Sequence, residues 1–178
     1  GIRARSPSRG LGDVYKRQSL LHAGQAASQV KRWDTSLELL ERCLREHSTA
    51  EMVDEAQYEL GWAMYNLGRL DEALPLFEQI AARNQSILGA RSQFMIGEVY
   101  FGEKQYDAAV RRFFRVFDGY GGKQALPEFH HWQAEAMFEA ARCLEQTGRT
   151  KSAHKLYDEL LERFPNSEKA THAQNKLR

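Results

Sequence analysis

The feature that most constrains this chain is a pattern of small and large residues that occurs four times. Each copy has a Gly or Ala, a small residue twelve positions later and a large residue four positions after that. The four sets are Gly24, Ser36 and Leu40; Gly61, Ala73 and Phe77; Gly97, Ala109 and Phe113; and Ala141, Ala153 and Tyr157. The first residues are 37, 36 and 44 positions apart, the last step being lengthened by an insertion. Repetition at such a period predicts an array of similar supersecondary units.

Residues 54–84 contain the clearest copy. Apolar residues recur there at helical spacing in two runs, separated by the short break at residues 67–69, Leu-Gly-Arg. Two helices joined by so short a turn must lie antiparallel, so each copy is predicted to be a helical hairpin. Gly61 lies in the middle of the first helix, where it costs about 1 kcal/mol relative to Ala. We expect the reason to be close approach of the second helix at Ala73.

The repeated residues resemble the tetratricopeptide repeat family. The family pattern has Leu-Gly, then Tyr, a small residue, an aromatic residue and a closing Pro. The Leu-Gly position is matched by Leu60-Gly61 and Ile96-Gly97, and the Tyr positions by Tyr100 and Tyr106. The small residues are Ala73, Ala109 and Ala153, the aromatic residues are Phe77, Phe113 and Tyr157, and the closing Pro is Pro165. The chain departs from the family in its longer period and at the family's Trp position, which holds Leu20, Gln57, Gln93 and Met137.

This resemblance implies an all-α fold, a right-handed superhelical solenoid of about four helix-turn-helix repeats. The repeats are expected at residues 19–50, 51–86, 87–122 and 127–165. Residues 166–178 follow a Pro-Asn-Ser stop and cap signal and are expected to form a short helix, either a capping helix or the first half of a fifth repeat.

The first eighteen residues do not share the repeat pattern, and we expect them to be disordered. They carry five basic residues against Asp13 alone, and their ending, GLGDVYKRQ, resembles translated sequencing-adaptor sequence. The alternative is a basic arm for nucleic acid or a membrane surface. From residue 19 onward there are 20 basic and 23 acidic residues, so bulk charge does not indicate a nucleic-acid partner.

Length and composition are typical of one domain, with 42% hydrophobic residues in 178. No run of eighteen apolar residues is present. No signal peptide is visible, although the true N-terminus is missing if the first residues are an artefact. Cys43 and Cys143 fall at inward-facing positions of distant repeats, so they are expected to be buried thiols.

An insertion, DGYGGKQALPEFHHW, follows the third repeat. Its glycines at 119, 121 and 122 predict a helix stop and a flexible connector, and Pro127 fits the first turn of the next helix. A phosphate-binding loop is the alternative. It is disfavoured because no Gly stands five positions before Gly122 and no strand precedes the segment.

Motifs for chemistry are missing from the sequence. The best metal candidate is His131 with Glu135 and Glu139, which share one helical face, but such a stripe more often faces solvent. The other acidic residues are assigned to outward positions, and neither Cys has a His placed by a motif. We therefore predict no catalytic residues, no metal and no cofactor.

The resemblance also implies a concave groove lined by the first helix of each repeat, where a protein or peptide partner binds. The positions carried over are Tyr58, Trp62, Tyr65, Asn66, Arg91, Phe94, Glu98, Phe101, Glu135, Phe138, Arg142 and Gln146. About half of the aromatic rings are expected to pack in the core. Aromatic residues with Arg are typical of protein-binding hot spots. Tyr58 and Trp62 occupy positions where co-chaperone members use Lys and Asn, which disfavours binding of chaperone tails.

The ending FPNSEKATHAQNKL is similar to bacterial envelope repeats, namely relatives of the Tol-Pal coordinator and of outer-membrane assembly lipoproteins. The resulting prediction is a non-catalytic interaction scaffold within a larger bacterial protein. The periplasm or cell envelope is favoured, with the cytoplasm as the alternative. Two alternative functions remain open. The chain could act by self-association, or it could be a non-catalytic module of an enzyme whose catalytic domain lies elsewhere.

Overall fold

A computed structural model describes residues 7–46, 50–83 and 85–178, and these residues form α-helices without any strand. The helices are α1 (Pro7–Gln29), α2 (Trp33–Glu46), α3 (Ala50–Asn66), α4 (Leu70–Arg83), α5 (Ile87–Gly102), α6 (Tyr106–Gly119), α7 (Pro127–Gln146), α8 (Thr150–Arg163) and α9 (Glu168–Lys176). A short 3-10 helix, Gly122–Gln124, lies between α6 and α7. The predicted all-α helical-repeat fold is confirmed.

Helix α1 begins at Pro7, well before the first predicted repeat. The expectation that residues 1–18 are disordered is therefore wrong for residues 7–18. Proline suits the first turn of a helix, and no later proline interrupts this one. Once the repeat nucleates a helix, each further residue can be added at little cost. Residues 1–6 lie outside the described part of the chain, and the likeness to adaptor sequence stays a prediction.

The same turn joins the two helices of every hairpin. Its left-handed residue is Lys31 (φ 59°), Gly68 (76°), Lys104 (60°) or Gly148 (74°), always seven positions after the first residue of the repeated pattern. In the first hairpin, the Arg32 amide donates to the Ala27 carbonyl at 2.8 Å and the Lys31 amide donates to the Ser28 carbonyl at 2.9 Å. These two bonds form a Schellman motif, and the other three turns contain the equivalent pair.

The repeated glycines lie at close contacts between helices. A Cβ atom at Gly24 would lie 2.7 Å from Leu40 Cγ, and one at Gly97 would lie 2.5 Å from Phe113 Cε1. The close approach expected between Gly61 and Ala73 stays a prediction. At Gly24 and Gly97, the large residue sixteen positions on fills the space. The small residue also takes part in the first copy, because Ser36 Oγ donates to the Gly24 carbonyl at 2.9 Å.

The chain divides into two compact units, the first ending at Leu76 and the second beginning at Phe77. In a repeat array each hairpin packs on its neighbours, so there is no single centre of contacts. In the second unit, α5 packs on α6 and α7, and α7 packs on α6, α8 and α9. The search for a helix long and apolar enough to cross a membrane found none among the described residues.

The insertion between α6 and α7 is tied to the helices rather than being a loose connector. Gln133 Nε2 donates to the carbonyl oxygens of Phe117 (3.3 Å), Tyr120 (3.3 Å) and Gly122 (3.1 Å). Arg163 Nη2 donates to the same Gly122 carbonyl at 3.2 Å. The buried Gln133 and the half-buried Arg163 therefore supply hydrogen bonds to backbone carbonyl groups that regular secondary structure would otherwise provide.

Two helix starts in the second unit agree with the sequence signals. Pro127 is the first residue of α7, as predicted. Ser167 caps α9, and its hydroxyl oxygen accepts a hydrogen bond from the Ala170 amide at 3.2 Å.

Candidate functional site

In the first unit, the candidate binding residues all lie on α3. Tyr58 is buried, with 3% of its surface exposed, and belongs to the core. Trp62 and Tyr65 are half-buried and stack with their ring centroids 5.9 Å apart. Asn66 is exposed, and its Nδ2 donates to the Trp62 carbonyl at 2.8 Å. The accessible part of this face is therefore the Trp62–Tyr65 pair with Asn66 beside it.

In the second unit, Phe94 of α5 is a buried support rather than an exposed contact. Its ring centroid lies 5.3 Å from that of Phe113 and 5.6 Å from that of Trp132. The guanidinium carbon of Arg91 lies 5.7 Å from the centroid of the Trp132 ring. Trp132 is half-buried and was not among the predicted binding residues, because it lies in the first turns of a longer α7 that begins before the repeat pattern.

Phe101 lies near the end of α5 and remains half-buried. The guanidinium carbon of Arg142, on α7, lies 5.0 Å from the centroid of its ring. On its other side, the ring of Phe101 meets that of Tyr106 edge-on at 5.5 Å. The two predicted residues Phe101 and Arg142 thus come together as one cation–aromatic contact between α5 and α7.

Phe138 of α7 is buried and packs on Tyr157 of α8, with ring centroids 5.5 Å apart. Helix α9 covers its other side. Lys169 Nζ lies 5.1 Å from the centroid of the Phe138 ring, and the His172 ring lies 5.9 Å from it. The short C-terminal helix therefore contributes side chains to the face that α5 and α7 form.

Five charged residues converge on this face and are called the charged cluster: Glu98, Glu135, Glu139, Arg142 and Lys169. Arg142 Nη1 donates to Glu139 Oε2 at 2.6 Å. Lys169 Nζ lies 3.2 Å from Glu135 Oε2 and 4.0 Å from Glu139 Oε1. Glu98 Oε1 is buried and has no hydrogen-bond partner among the described residues.

Two carboxyl groups of the charged cluster, those of Glu98 and Glu139, have a raised pKa. Burial raises the pKa of Glu98 to about 7, with a further contribution from the negative charge of Glu139. Arg142 and Lys169 act in the opposite direction. Burial also raises the pKa of Glu139, whereas Arg142 and Lys169 hold it down. Glu98 is therefore a carboxyl group that changes charge close to neutral pH.

Two sequence expectations need correction here. Acidic residues were assigned to outward positions, but Glu139 is buried, with 6% of its surface exposed, because Arg142 and Lys169 compensate its charge. The stripe of His131, Glu135 and Glu139 is also not a uniform solvent face. His131 is exposed against the Trp132 ring, whereas both carboxylates point to Lys169.

No group of His, Cys, Asp or Glu side chains that could hold a metal ion was found within the described residues. Both Cys43 and Cys143 are buried. Burial, together with the charges of Glu139 and Glu98, raises the pKa of the Cys143 thiol to about 12. A thiol with so high a pKa is a poor nucleophile at neutral pH.

Stacked helical hairpins that carry aromatic and charged side chains on one face define a helical-repeat interaction scaffold. Models of the tetratricopeptide repeat match residues 21–87, 65–122 and 135–167. Because these matches cover more than half of the sequence, the chain belongs to the tetratricopeptide repeat family. Repeats of this family form protein-interaction modules that are typically not catalytic. A search of curated proteins gave no significant match.

Several solved structures share the fold. YrrB, a TPR protein with an unusual peptide-binding site, is 18% identical over 89% of this chain and 74% of its own, with a TM-score of 0.67. The TPR-like repeats of a putative kinesin light chain of Podosopora anserina are 21% identical over 90% and 82%, with a TM-score of 0.70. MamA is 14% identical over 86% and 80%, with a TM-score of 0.66. At these identities, the likeness shows the fold.

Proposed function

We propose that this protein is a non-catalytic scaffold that binds a protein or peptide segment on the face formed by α5, α7 and α9. The observation that carries the proposal is the contact of Phe101 with Arg142, in which both side chains are half-buried and held between two helices. A fixed aromatic ring beside Arg loses little side-chain entropy when a partner covers it. YrrB, which shares the fold, has a peptide-binding site.

The surface around this contact is suited to a mixed polar and apolar ligand. Phe94 and Phe138, on the same two helices, are buried, and the half-buried Trp132 packs on Phe94 near the start of α7. In the first unit, Trp62 and Tyr65 form a separate accessible aromatic pair on α3. We propose that this pair is a binding surface of the first unit in its own right.

Affinity capture with the full chain tests this function. Phe101→Ala and Trp62→Ala each remove one half-buried ring, and Phe114→Ala, whose side chain is exposed on α6, is the matched control. Phe94→Ala is unsuitable, because Phe94 is buried against Phe113 and Trp132. We expect wild type and Phe114→Ala to capture the same partner, and Phe101→Ala to lose it.

A partner retained equally by Phe101→Ala and Phe114→Ala would place binding elsewhere. If no partner is captured and the particle size grows with protein concentration, self-association becomes the better function. We also propose that the protein acts in a bacterial cell envelope, on the basis only of the resemblance of residues 164–177 to envelope repeats. Capture from envelope and cytosolic extracts in parallel tests that localisation.

A further inference from the structure

The charged cluster contains more carboxylates than cations. Glu135 and Glu139 both have partners, since Lys169 lies near both of them and Arg142 bonds Glu139. Glu98 is the remaining carboxylate, and its Oε1 atom is buried without a hydrogen-bond partner in the described residues. A buried acceptor left unsatisfied destabilises the fold, and more so when it is charged. The Glu98 residue as a whole is half-buried, so its negative charge is within reach of a cationic group on a ligand.

Two aromatic rings on this face already contact cations. The Arg142 guanidinium lies over Phe101 at 5.0 Å, and the Lys169 ammonium group lies over Phe138 at 5.1 Å. Phe94 and Phe101 are four positions before and three positions after Glu98, so they lie on the same side of α5. The aromatic faces therefore offer apolar contact to the stem of a long side chain and attraction to a charged end.

The net charge of the whole chain gives no reason to expect a basic ligand. It is +1 at pH 7, so long-range attraction does not favour cations. A preference for a basic group must come from the local excess of carboxylate around Glu98. This makes the preference testable by changing one residue.

We propose that the face formed by α5, α7 and α9 selects a partner segment with a Lys or Arg side chain, whose cationic group pairs with Glu98 and whose stem lies on Phe101. The inference rests on the proposed function and names the chemistry of the partner. Pairing would complete the cluster with one cation for each carboxylate. The apolar neighbours of that basic residue would then contact the rings that remain accessible.

The test is selection of peptides from a random display library on the full chain. Enriched sequences are compared between wild type, Glu98→Gln and the control Glu128→Gln, which removes an exposed carboxylate at the start of α7. We expect wild type and Glu128→Gln to enrich peptides that share a Lys or Arg flanked by apolar residues. Glu98→Gln should lose this preference and bind a selected basic peptide about tenfold more weakly, as expected when one charge-assisted bond is lost.

The outcomes separate this inference from the proposed function. If enriched peptides lack a basic residue, or keep it with Glu98→Gln, the inference is wrong, while binding that is still lost with Phe101→Ala leaves the proposed function in place. If the selected peptides bind Phe101→Ala and wild type equally, both are wrong. A library that yields no enriched peptide also overturns the inference.

Discussion

The ring of Phe113 occupies the space that a side chain at Gly97 would need. An added Cβ would lie 2.5 Å from Phe113 Cε1 and 2.7 Å from Cδ1, closer than such atoms approach in proteins. Phe113 is fully buried, and its ring also packs on that of Phe94. The ring therefore has little room to move, and the contact fixes the distance between α5 and α6.

Replacement of this glycine is predicted to destabilise the fold. Gly97→Ala should lower the free energy of unfolding by about 1–3 kcal/mol, because overpacking outweighs the better helix propensity of Ala. Gly119→Ala is the control, since nothing lies within 4 Å of a Cβ built there. Urea unfolding of both variants measures the difference. If Gly97→Ala is as stable as wild type, then α5 and α6 can move apart without loss of stability, and this prediction is wrong.

The two lysines at left-handed turn positions are predicted to be suboptimal. Lys31→Gly and Lys104→Gly should each raise the free energy of unfolding by about 0.5–1 kcal/mol. The left-handed conformation costs a residue with a Cβ more than Gly, and both lysines are exposed. Gly148→Lys is the reverse substitution and should destabilise the protein. Thermal and urea unfolding check the signs, and a loss of stability with Lys104→Gly would contradict the argument.

Gln133 is predicted to hold the insertion in place. Gln133→Leu keeps the approximate size of the side chain but removes a donor from three carbonyl groups, of which that of Gly122 keeps Arg163, and this should cost about 1–3 kcal/mol. Amide hydrogen exchange of residues 119–125 should become faster than in wild type. Gln124→Leu, at an exposed position of the same segment, should leave exchange unchanged. Equal protection in both variants would show that Arg163 alone is sufficient.

Stability is predicted to fall as pH rises toward neutrality, through Glu98. Its pKa is about 7 in the folded protein and about 4.3 in an unfolded chain, so the folded state binds this proton more tightly. The stabilisation is complete below the unfolded pKa and is lost as pH rises through the folded one. The charges that face Glu98 are Glu135, Glu139, Arg142 and Lys169.

Glu98→Gln isolates this effect, because Gln resembles the protonated carboxyl group. We expect it to match wild type near about pH 4.5 and to be more stable by on the order of 2 kcal/mol at about pH 8. Urea unfolding across this range measures the difference. Glu128→Gln, at an exposed carboxylate, should show no such trend. A constant difference between Glu98→Gln and wild type would contradict the raised pKa.

Much of the fold was accessible from local sequence patterns. The hairpins follow from helical periodicity and the recurring Gly, Pro127 marks the start of α7, and Ser167 marks the start of α9. These signals act between residues that are close in the chain. The left-handed Lys31 and Lys104 had no such signal, because the strain at a non-Gly turn residue is imposed by the helices that it joins.

The candidate site shows the same division. Phe101 and Arg142 were predicted from their places in the repeat, and the structure brings them together. The partner-binding role of these residues stays a prediction. Lys169 was missed, because its partners Glu135 and Glu139 are about thirty residues away on another helix.

The sequence by itself determined the helical class, the repeat and the turn at residues 67–69, because periodicity and chain reversal depend on near neighbours. Only the tertiary structure decided which charges are compensated and which carboxylate is left over. Burial and pairing depend on how helices from different repeats approach one another, and that distance is set by contacts such as the ring of Phe113 on Gly97.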